Sequence, residues 1–352
     1  MKLGIAGYPQ VGKKTLFSLL TGQTISEQRS NRQGLAPVGD PRFDRLVDLY
    51  HPQKETPAVV EFELLPDLDE DATRNAQALR ALENVDAICH VVRAFNDEAV
   101  YHISGSVDAA RDAQRFAEEL QFNDLVFIDK RLERIAREQK SKKDERAQQE
   151  QALLERMKEH LESTTSLAEF SFTADDEKLL SSYPLLTRKA VINIINVEES
   201  DLQNDALVAS IQESLNDPSH ACIAVSAQIE GELAQLDSDE RKAFLEDLGL
   251  EQTALERLTQ LCYATLGLIS FFTVGEDEVR AWTIRAQSLA PQAGRAIHSD
   301  IERGFIRAEI MAYADLIELG SEEKVKAAGK FMQKGRDYVV EDGDIIHFLF
   351  KV

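Results

Sequence analysis

Apolar positions along the chain fall into two rhythms. Short runs almost free of charge, Lys2 to Ala6, Ala87 to Arg93, Ala190 to Val197 and Ala221 to Val225, have the length and β-branched content of buried strands, and Val59 to Leu65 belongs with them. Between them the spacing turns helical, as in Leu16, Leu19 and Leu20 after a glycine-containing turn. Short apolar strands separated by helical segments predict an α/β fold, a doubly wound and mainly parallel sheet covered on both faces.

From about Ala117 to Glu162 the chain is dense in Glu, Lys, Arg, Gln, Leu and Ala and has neither Pro nor Gly. Leu125, Ile128, Leu132 and Ile135 recur at spacings of three and four, as do Leu153, Leu154 and Met157. The pattern predicts an inserted helical hairpin or short coiled coil with Arg137 to Gln151 near its tip. The end of the chain alternates: Phe305 to Ile310 reads as a strand, and Tyr338 to Phe350 as strand, Asp342-Gly343 turn, strand. The expected division is residues 1–116 and 189–272 for the sheet domain, 117–188 for the helical arm and 273–352 for a small α+β domain.

Charge narrows the partners. The net charge of -22 opposes non-specific coating of nucleic acid, and no DNA partner is expected. Locally the balance reverses: Asp129 to Arg146 holds eight basic and five acidic residues, so Arg131, Arg134, Arg137, Lys140, Lys142 and Lys143 are candidate contacts to RNA phosphates. Such runs are also ordinary solvated helix faces. The first residues run straight into a strand with no apolar leader, no stretch approaches the ~20 apolar residues of a membrane span, and Cys89, Cys222 and Cys262 are far apart in apolar surroundings. A cytoplasmic protein with buried thiols and no membrane association is expected.

The firmest chemical signal is Gly7-Tyr8-Pro9-Gln10-Val11-Gly12-Lys13, between a strand and a helix. Glycines let backbone N–H groups converge on anionic oxygens, the helix N-terminus faces the same point, and a lysine bridges the terminal phosphates. Gly7, Gln10, Val11, Gly12, Lys13, Lys14 and Thr15 are therefore candidate phosphate-binding residues. A purely structural basic turn is disfavoured, because Lys13 and Lys14 in a first helical turn oppose the helix dipole. The hydroxyl that normally follows the lysine and holds Mg²⁺ is replaced by Lys14. No metal ligand is assigned, and Lys14 is expected to offset phosphate charge so that nucleotide binds with little metal dependence.

The chain resembles the YchF, or Obg-like ATPase, branch of the translation-factor GTPases over almost its whole length. The resemblance rests on the phosphate loop with Thr15-Leu16-Phe17, on Asp40-Pro41-Arg42-Phe43-Asp44-Arg45-Leu46, and on His90-Val91-Val92-Arg93-Ala94-Phe95. Near the C-terminus it rests on Glu278 to Ile284, Ala290 to Ala293, Ile297 to Asp300, Gly304 to Ala308 and Asp342-Gly343-Asp344. It implies a closing ubiquitin-like TGS domain and a base-reading segment at Asn196, Val197 and Glu199, supported by Ser226 and Ala227, for ATP or GTP. It further implies a ribosome or RNA-protein partner.

Two departures bear on hydrolysis. Where the family has Asp-x-x-Gly after the strand here read as Val59 to Leu65, this chain has Glu63-Leu64-Leu65-Pro66-Asp67-Leu68-Asp69-Glu70-Asp71, and no glycine occurs between Gly39 and Gly105. The segment from Ile25 to Gln33 lacks a recognisable Mg²⁺-binding threonine, leaving Thr24 and Ser26 as the nearby hydroxyls. Together with Lys14 these changes point to weak or lost hydrolysis. No catalytic residue is assigned, including His90, whose place inside a strand suits a core histidine, and His102. The alternative is an interaction scaffold that keeps the fold without nucleotide.

Overall fold

The computed structural model describes residues 1–24, 32–139, 144–217 and 219–351. Two compact units emerge, one of residues 1–34 with 61–255 and one of residues 35–60 with 256–352. The strands are β1 (Lys2–Ala6), β2 (Gln33–Pro37), β3 (Lys54–Thr56), β4 (Val59–Leu64), β5 (Ala87–Arg93), β6 (Val191–Asn196), β7 (His220–Val225), β8 (Leu268–Thr273), β9 (Glu278–Arg285), β10 (Phe305–Ala312), β11 (Met332–Lys334) and β12 (Asp344–Phe350).

The first sheet has the order β2-β4-β1-β5-β6-β7, and its neighbours from β4 to β7 are all parallel. Every residue of β5 and of β6 is buried, as expected of central strands covered on both faces. Helix α1 (Lys13–Thr21) follows β1 and buries Leu16, Phe17 and Leu20. The sequence placed β1, β4, β5, β6 and β7 to within a residue or two, because covered parallel strands are compact apolar runs, and did not mark β2 at the sheet's edge.

Further helices are α2 (Pro41–Tyr50), α3 (Ala76–Glu83), α4 (Ala109–Gln139) and α5 (Glu145–Ser163). Helix α4 starts well before the expected arm. Its first turns bury Ala109, Ala113 and Ala117 in the sheet domain's core, where small side chains permit close packing on Val92 and Ile195. The outer part of α4 and α5 share a separate apolar core of Ile128, Ile135, Leu153, Leu154, Met157 and Leu161. The arm is rooted by Asp124, buried, which accepts from Leu186 N–H (3.0 Å), Thr187 N–H (2.8 Å) and the Thr187 hydroxyl (2.7 Å).

The second unit is an α+β domain whose sheet runs β11-β10-β12-β8-β9-β3. The hairpin expected over Tyr338 to Phe350 does not form. Only Asp344–Phe350 is a strand, antiparallel to β10 and parallel to β8, while Val339 makes an isolated antiparallel bridge to Leu289. The Asp344 carboxylate accepts from both Tyr338 OH and Glu341 N–H at 2.9 Å, which curls the preceding residues away from β12. Arg42, at the start of α2, pairs with Asp40 and with Asp342, so two of the sequence signatures meet in this unit. No helix among the described residues is long and apolar enough to cross a membrane.

Candidate functional site

The phosphate loop joins β1 to α1. Gly7 has φ of +142° and Gly12 of +98°, and an added Cβ would stand 2.5 Å from Val91 O at the first and 2.3 Å from the Asn196 amide at the second. Both glycines are required by conformation and by space. Gln10, exposed, adopts a positive φ of 60° between them, and Val11 is buried. Helix α1 begins with no side-chain cap and no acidic residue in its first turn. Its first turn thus carries neither a capping side chain nor an acidic residue, the arrangement that suits an external anion.

Lys13 is 4% exposed, and its ammonium donates to Gly7 O and Tyr8 O and lies 2.9 Å from Asp67 Oδ1. Burial holds its pKa below the ordinary lysine value, with Asp67 acting in the opposite sense. Lys14 and Thr15 are exposed on the same turn. Lys14 therefore stands in solvent where the phosphate-loop pattern asks for a metal-binding hydroxyl. The donor set fits phosphate and does not fit Mg²⁺ held in the usual manner.

Asn196, at the end of β6 and buried, ties the site together. Its amide donates to Val11 O (3.0 Å), and its carbonyl oxygen accepts from Ala227 N–H (3.1 Å). Ser226 caps helix α8 (Ala227–Leu233), which follows helices α6 (Ala174–Leu180) and α7 (Asp205–Leu215) in the chain. Val197 continues the ladder through Val225 O at 3.0 Å and is buried. Glu199 opens a short 3₁₀ turn, is exposed, and lines a cavity of about 690 Å³ with Glu198, Gln203, Gln228 and Asp247. No phosphate-loop residue lines that cavity, so it is not the phosphate cleft itself.

Asp67 was legible only as part of an acidic run; its reach to Lys13 was not. The segment that carries it is built in. Leu65 N–H donates to Ile5 O (3.0 Å), Leu68 N–H donates to Gly7 O (3.1 Å), and the buried Asn75 side chain brackets the Asp69 backbone through bonds of 2.8 and 3.1 Å. Asn75 has the unusual combination of a helix-boundary position and burial, a signal that sequence pattern does not carry.

His90 is a core residue: it stacks on Phe116 with ring centroids 4.0 Å apart, and its Nδ1 lies 3.0 Å from Asn193 Oδ1. Burial pushes its pKa down to about 3. His102 accepts at Nδ1 from Ser104 N–H (3.2 Å), and its Nε2 lies 3.0 Å from Asp112 Oδ2. Of the thiols, Cys89 and Cys262 are buried, while Cys222 is half-buried rather than buried as expected, on the sheet's edge strand β7.

On the arm, Arg131 is committed to Glu150 (Nη2 to Oε2, 2.8 Å) and Tyr183 (2.9 Å), inside the pairing of α4 with α5. Arg134 and Arg137 are exposed and pair one turn away along α4 with Glu138 (3.5 Å) and Glu133 (3.0 Å). Lys140, Lys142 and Lys143 lie outside the described residues, as does Ser26. Thr24 is exposed beyond α1.

The family model YchF-GTPase_C, described as protein of unknown function (DUF933), matches residues 268–351. The ribosome-binding ATPase YchF of Bacillus subtilis is 39% identical over 99% of both chains. Obg-like ATPase 1 of Oryza sativa subsp. japonica is 37% identical over all of this chain and 92% of its own. The solved YchF GTPase of Schizosaccharomyces pombe superposes with a TM-score of 0.84 at 31% identity, over 99% of this chain and 97% of that one. A GTP-binding protein of Pyrococcus horikoshii OT3 shares the fold at a TM-score of 0.61 and 16% identity.

Proposed function

Because the chain belongs to the YchF/Obg-like ATPase family, we propose that it is a purine-nucleotide-binding, ribosome-associated P-loop protein with weak or lost hydrolysis. The observation that carries this reading is the phosphate loop: two glycines with positive φ, a lysine 4% exposed, and an uncapped helix N-terminus. Gly7, Gly12 and Lys13 would hold the phosphates through backbone N–H groups and one ammonium. Asn196, Val197, Glu199, Ser226 and Ala227 would frame an adenine or guanine base. Bound nucleotide would supply the polyphosphate that Lys13 neutralises. The names of the B. subtilis and rice relatives, a ribosome-binding ATPase and an Obg-like ATPase, support the partner and the nucleotide class, and with them a cytoplasmic location.

Weak hydrolysis follows from the same residues. Phosphoryl transfer depends on positioning and on neutralising charge at the transferred group, and losing one major element costs on the order of 10³-fold. Lys14 replaces the hydroxyl, and the segment Glu63 to Asp71 has no counterpart of the family's Asp-x-x-Gly. Titration of ATP and GTP with and without Mg²⁺, against wild type and Lys13→Ala, tests the reading. Lys13→Ala is expected to weaken binding by about 10- to 100-fold, the worth of one charged hydrogen-bonding group. Equal affinity of the two proteins would refute the site, and a strong Mg²⁺ requirement would refute the role given to Lys14.

One observation favours the scaffold alternative: all three acceptors around the Lys13 ammonium are supplied by the protein itself. Freshly purified protein, denatured and chromatographed, distinguishes the two by its nucleotide content.

A further inference from the structure

We propose that Asp67 is a built-in surrogate for a terminal phosphate, so that the site takes a nucleoside diphosphate with the carboxylate in place and a triphosphate only after displacing it. The proposal rests on the nucleotide reading above and deepens it to a ligand class.

Lysine offers three N–H donors. On Lys13 these face Gly7 O, Tyr8 O and Asp67 Oδ1, the last at 2.9 Å. A lysine in this loop position ordinarily reaches the β- and γ-phosphates. Here a protein oxygen stands at the distance a phosphate oxygen would take. The two carbonyls belong to the loop's own backbone, whereas Asp67 arrives from outside the loop, on the segment after β4.

Asp67 is delivered by an anchored segment. Leu68 N–H on Gly7 O docks the backbone against the phosphate loop, and the Asn75 side chain holds Asp69 on both its N–H and its carbonyl. The Asp67 side chain is itself 55% exposed, so a ligand can reach and compete for its place. A carboxylate satisfies one ammonium with one negative charge. A terminal phosphate brings more charge to the same point and meets repulsion from Asp67 unless the side chain rotates away. A diphosphate ends before the terminal position: its β-phosphate takes a donor that now faces a loop carbonyl, and the pair with Asp67 is left intact.

Calorimetric titration of ADP and ATP into wild type, Asp67→Asn and Asp67→Ala tests this. Wild type is expected to bind ADP more tightly than ATP. Both variants are expected to bind ATP about tenfold more tightly, with ADP changed by less than about threefold. If ADP and ATP affinities shift together, or ATP weakens because the carboxylate is itself a ligand of the bound complex, the proposal fails. Nucleotide affinities identical in wild type and variants would overturn the surrogate and leave the nucleotide reading standing. No binding of either nucleotide to any of the three proteins would overturn both.

Discussion

Asn196 shows how one side chain can hold a binding loop in shape. Its amide donates to Val11 O and accepts from Ala227 N–H, so one residue at the end of β6 fixes both the phosphate loop and the start of α8. Asn196→Ala strands a buried carbonyl and a buried N–H, at about 1–3 kcal/mol each. The expected outcome is a loss of roughly 2–4 kcal/mol in urea unfolding, with nucleotide affinity reduced in step. Asn196→Asp keeps the acceptor for Ala227 but turns a carboxylate toward Val11 O, so it should be no better tolerated; wild-type stability in either variant would show that the loop is held by other contacts. His90 gives a pH dependence at the same scale. Burial, with Lys13 and His220 nearby, lowers its pKa to about 3 in the folded chain, against about 6.5 when exposed. Between these values the unfolded chain binds a proton that the native chain does not. His90 therefore contributes stability that is complete above about pH 6.5 and is lost as pH falls toward 3, at up to about 1.4 kcal/mol per unit. Urea midpoints at pH 7 and pH 5 should converge in His90→Gln relative to wild type. His220, whose pKa burial also lowers, acts in the same direction in both proteins and cancels from the comparison.

At the scale of elements, the arm depends on a polar root as well as on its apolar seam. Asp124 gathers three donors from the Leu186–Arg188 turn that leads into β6, so it couples α4 to the return of the chain into the sheet. Asp124→Ala leaves those donors buried without an acceptor and is expected to cost about 3 kcal/mol. Limited proteolysis should then cut first near Leu186, and an unchanged cleavage pattern and unfolding midpoint would show that the apolar seam alone fixes the arm. The seam was readable from Ile128, Ile135, Leu154 and Met157 because helical spacing reports burial directly. The root was not, since nothing local marks Asp124 as different from its exposed acidic neighbours. Strands β5 and β6 were equally plain as uninterrupted apolar runs. The lost hairpin at Tyr338 to Phe350 marks the limit of such reading: an Asp-Gly pair signals a turn, but Asp344, reaching back to Tyr338 and Glu341, decides which residues pair. In the candidate site, Gly7, Gly12 and Lys13 declared themselves by spacing, whereas the contact of Asp67 with Lys13 joins residues 54 positions apart and has no local pattern.

For the molecule as a whole, charge decides how a chain of net charge -22 could approach a polyanionic ribosome. At physiological ionic strength the Debye length is about 8 Å, so distant acidic residues are screened and a local basic patch governs contact. Arg134 and Arg137 are suited to that role because their partners Glu138 and Glu133 are exposed neighbours on the same helix. Such pairs are worth about 0.3–0.5 kcal/mol, so a phosphate can replace the carboxylate at little cost. Arg131, bound to Glu150 and Tyr183 between the helices, cannot be released so cheaply and should matter to arm stability instead. Ribosome pelleting across a KCl series is expected to show binding that falls as salt rises, because counterions must be released from each neutralised phosphate. The double substitution Arg134→Glu and Arg137→Glu should weaken binding and flatten the dependence of log affinity on log salt by about one to two. Binding that strengthens with salt would mean that overall repulsion outweighs the patch, and an unchanged slope in the double variant would move the contact away from the arm.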